Sequence, residues 1–212
     1  MNAYDYDPKQ ELKYEIINGK AVYMSLLAQP NHAVTVGNIA TDISYYLKNK
    51  KCKLYHENNY LRLDKIEKIK DTDIAGFDKN KDRFIPDIMV VCDKSADTEM
   101  GVTGAPELIV EVASPRTENY DRSVKKDVYE AIGVKEYWIV RPKDKAIEIY
   151  LLQKEKYILK DIHFKYSESD LEAFETERED GISDIKIITE FSPYCFPDLT
   201  IKIDDVFAKF IE

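Results

Sequence analysis

The sequence predicts an α/β fold built on a mixed β-sheet, and three observations carry that expectation. An Asn18-Gly19 pair joins two short apolar runs, the strongest short-range hairpin signal because both residues tolerate positive φ. Two nearly all-apolar runs, 84–91 and 107–113, read as strands buried on both faces. Two helical patterns alternate with these runs, and the order along the chain is β-β-α-β-β-β-α-β-β.

Each element has its own signal. Residues 13–26 form the hairpin, with arms Lys13 to Ile17 and Lys20 to Leu26. Pro30 and Asn31 open a helix that runs to about Asn49. Its Ala33, Val36, Ala40, Ile43 and Leu47 recur at spacings of three and four, a face that must be buried. His32 sits in the first turn on the flank of that face, seven residues before Ile39. A strand follows at about 54–63. Residues 64–83 hold five Lys, one Arg and six acids, a polar excursion. The strand from Phe84 to Val91 is apolar apart from one carboxylate. A loop with Gly101, Gly104 and Pro106 leads to the strand from Glu107 to Ala113, ended by Ser114-Pro115.

Asn119 is the expected N-cap of a helix from Tyr120 to Ile132, stopped by Gly133. Strands at 136–140 and 146–152 flank a turn at 141–145, and a further strand is expected at 157–164. Residues 165–180 are acidic and poor in periodicity, a second excursion. The tail makes a last strand at 196–203 and a short helix at 204–211. There is no internal repeat, and the chain reads as one domain, 1–212.

Composition limits the function. The 212 residues are 44% hydrophobic and 33% charged, which excludes a disordered chain. Forty acidic and 31 basic side chains leave a net charge of −9, which argues against a protein that coats nucleic acid by bulk charge but not against a local basic groove. No run approaches the ~18–20 apolar residues needed to span a bilayer. The N-terminal residues lack a basic and apolar leader, so a cytoplasmic location is expected. Cys52, Cys92 and Cys195 lie far apart with no CxxC pair and are expected to be reduced thiols.

Two carboxylates stand inside the buried runs, Asp87 in one and Glu111 in the other. An unpaired ionised carboxylate there costs several kcal/mol, so a cation, a hydrogen-bond network, protonation or a metal must compensate. Stepping 100° per residue from Tyr120 puts Val124, Val128, Ala131 and Ile132 on one stripe, with Asp121 and Lys125 at its edge and Lys126 turned toward solvent. Lys125 is therefore the lysine able to lie beside both carboxylates. Two carboxylates and an ammonium suit metal-assisted phosphodiester hydrolysis: the carboxylates hold Mg²⁺ or Mn²⁺, and the lysine orients the nucleophile or stabilises the developing charge. Plainer readings stand beside this one. Asp121 and Lys125 can be simple i,i+4 helix support. Asp87 can cap a strand end, and Glu111 can pair with Arg116 or Arg122. His32 can be a satisfied first-turn histidine, Glu15 a solvent-facing hairpin residue and Trp138 core.

Several motifs in order carry a resemblance. Pro86-Asp87, Glu111 to Pro115, Tyr120 to Lys125 with Tyr129, and Gly133 to Val140 resemble the Uma family of putative restriction endonucleases, in the PD-(D/E)XK, restriction-endonuclease-like superfamily. The similarity extends upstream to Tyr14-Glu15-Ile16-Ile17-Asn18-Gly19, Met24-Ser25 and Pro30-Asn31-His32, and downstream to Phe196-Pro197-Asp198-Leu199. The resemblance implies a mixed sheet flanked by helices, with Asp87 as the metal-binding Asp and Glu111 as the Glu of the motif. Ala113 occupies the usual Lys position, and Lys125 matches the family's displaced lysine. Glu15 and His32 are carried over as supporting residues. Leu26 after Met24-Ser25 and Arg141 after Val140 depart from the pattern without removing a site group.

The leading expectation is a Mg²⁺-dependent endonuclease acting on DNA, as a homodimer that matches the two-fold symmetry of a duplex. The alternatives are a catalytically silent binding domain that keeps the fold, and a hydrolase of small phosphate esters. The charge is unevenly spread: residues 161–180 carry eight acids and two bases, while 48–70 carry eight bases and three acids. A local basic region is thus expected to track phosphates, weakly and with salt sensitivity.

Overall fold

The computed structural model describes residues 14–23, 29–56, 59–64, 66, 77–99, 101–179 and 186–210. The expected ends of the hairpin beyond Tyr23, the middle of the 54–63 strand at 57–58, most of the first polar excursion and the last residues of the tail lie outside them.

The hairpin is β1 (Tyr14–Ile17) and β2 (Lys20–Tyr23), with Asn18 at φ 53° and Gly19 at φ 70° as an Asn-Gly turn requires. Helix α1 (Pro30–Leu47) buries Thr35, Val36, Ile39, Ala40, Ile43 and Leu47. Ala33, expected on that face, is exposed, because the helix meets the sheet only from its second turn onward. The 54–63 strand is two pieces, β3 (Lys53–His56) and β4 (Leu61–Arg62), which join different sheets. The 84–91 run divides in the same way into β5 (Arg83–Phe84) and β6 (Ile88–Val91). Pro86 has no N–H for a ladder, so the chain leaves one sheet and enters the other around it, with Asp87 at the crossing.

Short strands β7 (Asp97–Thr98) and β8 (Gly101–Val102) precede β9 (Leu108–Val112). The helical segment that follows has three parts: α2 (Glu118–Tyr120), a π-helical turn Asp121–Lys125, and α3 (Lys126–Ile132). Its N-cap is Thr117 rather than Asn119, and Gly133 ends it at φ 91°. Strands β10 (Glu136–Arg141), β11 (Ala146–Gln153) and β12 (Lys156–Phe164) follow. The acidic excursion contains a helix, α4 (Glu168–Glu179), none of whose residues is buried. It lacks an apolar stripe because its packing is limited to Phe174 edge-on against Tyr166, and its glutamates carry it by intrinsic propensity. Strands β13 (Glu190–Phe191) and β14 (Ile201–Lys202) pair with each other, and α5 (Ile203–Val206) follows.

The main sheet runs β12-β11-β10-β9-β6-β3, with β9 and β10 parallel and its other pairs antiparallel. A second sheet runs β2-β1-β5-β4-β8-β7. Alternation along β6 and β9 divides the core. Ile88, Val90, Leu108 and Val110 pack with α1 and α5, whereas Met89, Val91 and Ile109 pack with α3 and with Leu61 and Phe84 of the second sheet. Trp138 is fully buried core, as expected.

Cys52 and Cys92 form a disulfide, contrary to the expectation of reduced thiols. The register that pairs Lys53 with Val91 makes them the next pair outward, and only the strand pairing reveals that proximity. No helix among the described residues is long and apolar enough to cross a membrane.

Candidate active site

The register places Ile88 opposite Val110, so the next step along both strands sets Asp87 across from Glu111. Antiparallel neighbours in direct opposition project to the same side, and here that is the side of α3 and the second sheet. Asp87 is anchored by its Oδ2, which accepts from the Val112 N–H at 2.7 Å. His32 reaches the same oxygen from the first turn of α1, with Nε2 at 3.3 Å.

Glu111 is 3% exposed, and its Oε1 accepts from Tyr129 OH at 2.8 Å and from Lys125 Nζ at 3.1 Å. Lys125, itself 2% exposed, lies at the centre of a carboxylate cage. Its Nζ is 3.1 Å from Glu15 Oε1 and 3.4 Å from Asp121 Oδ1. The second sheet delivers Glu15: it sits on the inner face of β1, and its Oε1 also accepts from the Ile85 N–H at 2.8 Å. Glu15 is therefore not a solvent-facing hairpin residue. All five residues expected from the sequence, Asp87, Glu111, Lys125, Glu15 and His32, are brought together.

The segment that carries Asp121 and Lys125 is a π-helical turn. Its wider i→i+5 ladder buries Asp121 and Lys125 together, and Tyr137 OH donates to the Asp121 carbonyl at 2.9 Å to hold the turn. Asp121 is thus a third member of the cage and more than helix support; the sequence signal for it was its i,i+4 relation to Lys125. Lys126 does not run free into solvent but lies 4.6 Å from the centre of the Tyr150 ring. Glu111 pairs with neither Arg116 nor Arg122. Arg122 instead grips Glu148 of β11 through two bonds of 2.8 and 2.7 Å, which fixes the helical segment against the sheet.

The electrostatics of the cage are unbalanced. Burial pushes the Glu111 carboxyl well above the usual carboxylate range, against the pull of Lys125 and reinforced by Asp121, Asp87 and Glu15. Burial likewise raises Glu15 and Asp121. It works against the Lys125 ammonium too, but the four surrounding carboxyls outweigh it and hold that lysine above its ordinary value. One ammonium does not neutralise four carboxyls, so the surplus must take up protons or a cation.

Among the described residues no group of three or more His, Cys, Asp and Glu side chains is arranged to hold a metal ion. Asp87 and Glu111 nonetheless fit an ion of the Mg²⁺ type, which needs only one or two carboxylates and keeps several waters. Each takes its protein donors on one oxygen, Asp87 on Oδ2 and Glu111 on Oε1, and no donor among the described residues engages the other oxygen of either.

A mixed sheet flanked by helices, with acidic side chains gathered at the inner ends of two central strands, defines a nuclease-like fold. It is similar to the crystal structure of a putative nuclease of the DUF820 family from Anabaena variabilis, with a TM-score of 0.62, 15% identity, and coverage of 95% of this chain and 93% of that one. The model of the Uma2 family, described as "Putative restriction endonuclease", matches residues 2–183, and the chain belongs to that family. No curated protein matches it.

Proposed function

We propose that this chain is a metal-dependent endonuclease that hydrolyses DNA phosphodiester bonds, with Asp87 and Glu111 holding Mg²⁺ or Mn²⁺ and Lys125 assisting. The observation that carries the reading is the opposition of Asp87 and Glu111 on adjacent strands, with the Lys125 ammonium 3.1 Å from Glu111. When bound, the ion supplies neutralisation of phosphate charge and lowers the pKa of an attacking water.

The chain's own groups do the rest. Lys125 and Tyr129 hold Glu111 Oε1 and thereby orient its other oxygen, while the Val112 N–H does the same for Asp87. Glu15 and Asp121 keep Lys125 protonated, so that its charge stands beside the phosphate. The His32 side chain is 20% exposed, against 3% for that of Lys125, so the phosphate approaches from the Asp87 and His32 side. His32 supports Asp87 there. The substrate class rests on the family together with this geometry, and a homodimer would match the two strands of a duplex.

The reading sets the enzyme in the cytoplasm. Its test is hydrolysis of plasmid and short duplexes with Mg²⁺ or Mn²⁺, comparing wild type with Asp87→Ala and Lys125→Ala, each checked for native circular dichroism. Loss of cleavage in both variants is expected. Undiminished cleavage in both overturns the site, and a wild type that neither cleaves nor gives heat with divalent ions is a binding domain instead.

A further inference from the structure

Away from the cage, the outer face of the second sheet carries an unusual pairing. Arg83 of β5 stands directly opposite Arg62 of β4 in an antiparallel register. Directly opposed side chains share a face, and like charges in that relation destabilise a sheet. Phe84 and Leu61 turn inward to the core, so both guanidinium groups belong to the outer face, away from Glu15.

Among the described residues, only one of the two has a counter-charge. Arg62 donates to Asp64 at 2.9 Å. Arg83 is half-buried and makes no ion pair: its Nη2 donates to the neutral Tyr14 OH at 3.0 Å, and its Nε is buried without an acceptor. Its guanidinium carbon lies 5.3 Å from the Tyr14 ring centre and 5.0 Å from that of Tyr60, so two aromatic rings fix its position. Asp82, the neighbouring carboxylate, is already engaged by the N–H groups of Asn18, Gly19 and Asp78.

Arg62, Arg83, Tyr60, Asp64, Asp82 and Glu99 line a cavity of about 430 Å³, and Lys79 and Lys81 of the preceding loop line it too. Gly101 also lines it, against Tyr60. A Cβ there would come within 2.4 Å of the Tyr60 carbonyl oxygen, and only glycine lets β8 approach so closely. The volume lies within the range of small-ligand sites.

We propose that this cavity binds the phosphate group of a nucleotide, with Arg83 and Arg62 as its principal ligands. A phosphate would sit between the opposed guanidinium groups and cancel the like-charge contact. The Tyr60 ring, which lines the cavity, offers a face for a base. The phosphate can belong to a polynucleotide or to a free mononucleotide; the chemistry at the cavity is the same. The proposal does not depend on cleavage or on the metal site.

The test is binding by the full chain in EDTA, using a fluorescein-labelled 20-nucleotide single strand, the matching duplex, and AMP and inorganic phosphate by calorimetry. Arg83→Gln is expected to weaken binding of whichever probe the wild type takes by about tenfold or more, and for the polymers to lower the salt slope by about one. Lys81→Gln, an exposed position, should weaken it less, and Lys202→Gln on the exposed side of β14, which removes the same charge elsewhere, should leave it unchanged. Binding of AMP without the polymers assigns the cavity to a free nucleotide and counts against the DNA reading alone. Equal affinity in wild type, Arg83→Gln and Lys81→Gln overturns the proposal, as does a wild type that binds none of the four probes. Loss of cleavage in Asp87→Ala with these affinities intact separates the catalytic site from this one.

Discussion

Replacing Lys125 by Met removes the one ammonium from a cage of buried carboxyls while keeping the volume nearly constant. At an effective dielectric near 20, each contact at 3.1 Å corresponds to a gross attraction of about 5 kcal/mol. Desolvation of the lysine offsets most of that sum. Breaking a buried ion pair by deleting one partner costs about 3–5 kcal/mol, because the remaining charge is left uncompensated. Lys125→Met is therefore expected to lose about 3–5 kcal/mol in urea unfolding at pH 7.5 in EDTA. Glu111→Gln placed in the same background should recover at least about 1 kcal/mol, since it removes one of the stranded carboxylates. If Lys125→Met unfolds at the wild-type urea midpoint, or if Glu111→Gln adds a further loss, the cage is not an electrostatic unit and the reasoning fails.

Other consequences can be measured separately. Burial would raise the Glu148 carboxyl, but the bonds from Arg122 and Tyr150 hold it below the usual carboxylate range. Its contribution is therefore present above about pH 4.5 and lost as pH falls through the lower folded value; Glu148→Gln should cost about 1.5–3 kcal/mol at pH 7 and flatten the acid limb of the stability curve. The exposed acids of α4 repel a phosphate backbone, so Glu172→Gln, Glu175→Gln and Glu179→Gln together should tighten DNA binding at low salt and change stability by less than about 0.5 kcal/mol; an unchanged affinity contradicts this. The Cys52–Cys92 bond closes a separation of 40 residues, so reduction should lower unfolding stability by about 4 kcal/mol in the chain-entropy account, read as a shift of the urea midpoint with dithiothreitol.

Much of this arrangement was legible in the sequence because it rests on local signals. Asn18-Gly19 specifies a hairpin whatever surrounds it. Asp87 and Glu111 stand out because a charge inside an apolar run demands a reason, and a helical wheel is enough to choose Lys125 over Lys126. What was not legible depends on register and on departures from ideal geometry. The burial of Glu15 follows from the second sheet crossing the site, which no pattern within 14–17 reveals. Asp121 shares the edge of the apolar stripe with Lys125, but only the tertiary approach of Glu15 and Glu111 to Lys125 makes it part of a cage instead of helix support. Pro86 signals a break inside the 84–91 run, but that the break divides two sheets is a tertiary fact. The same holds for Cys52 and Cys92, which meet only through the pairing of β3 with β6. The basic stretch is also divided by the fold: Lys53 sits at the far end of β3, about 10 Å from the His56 end that borders Asp87, while Arg62 belongs to the second sheet.

The most direct test of the metal site is a crystal of this chain soaked in Mn²⁺ and measured for anomalous scattering. The account predicts a peak bridging Asp87 and Glu111 at about 2.1 Å from a carboxylate oxygen of each, beside Lys125 and absent from Asp87→Ala crystals. Mn²⁺ peaks only elsewhere, or none with the carboxylates in place, would contradict it.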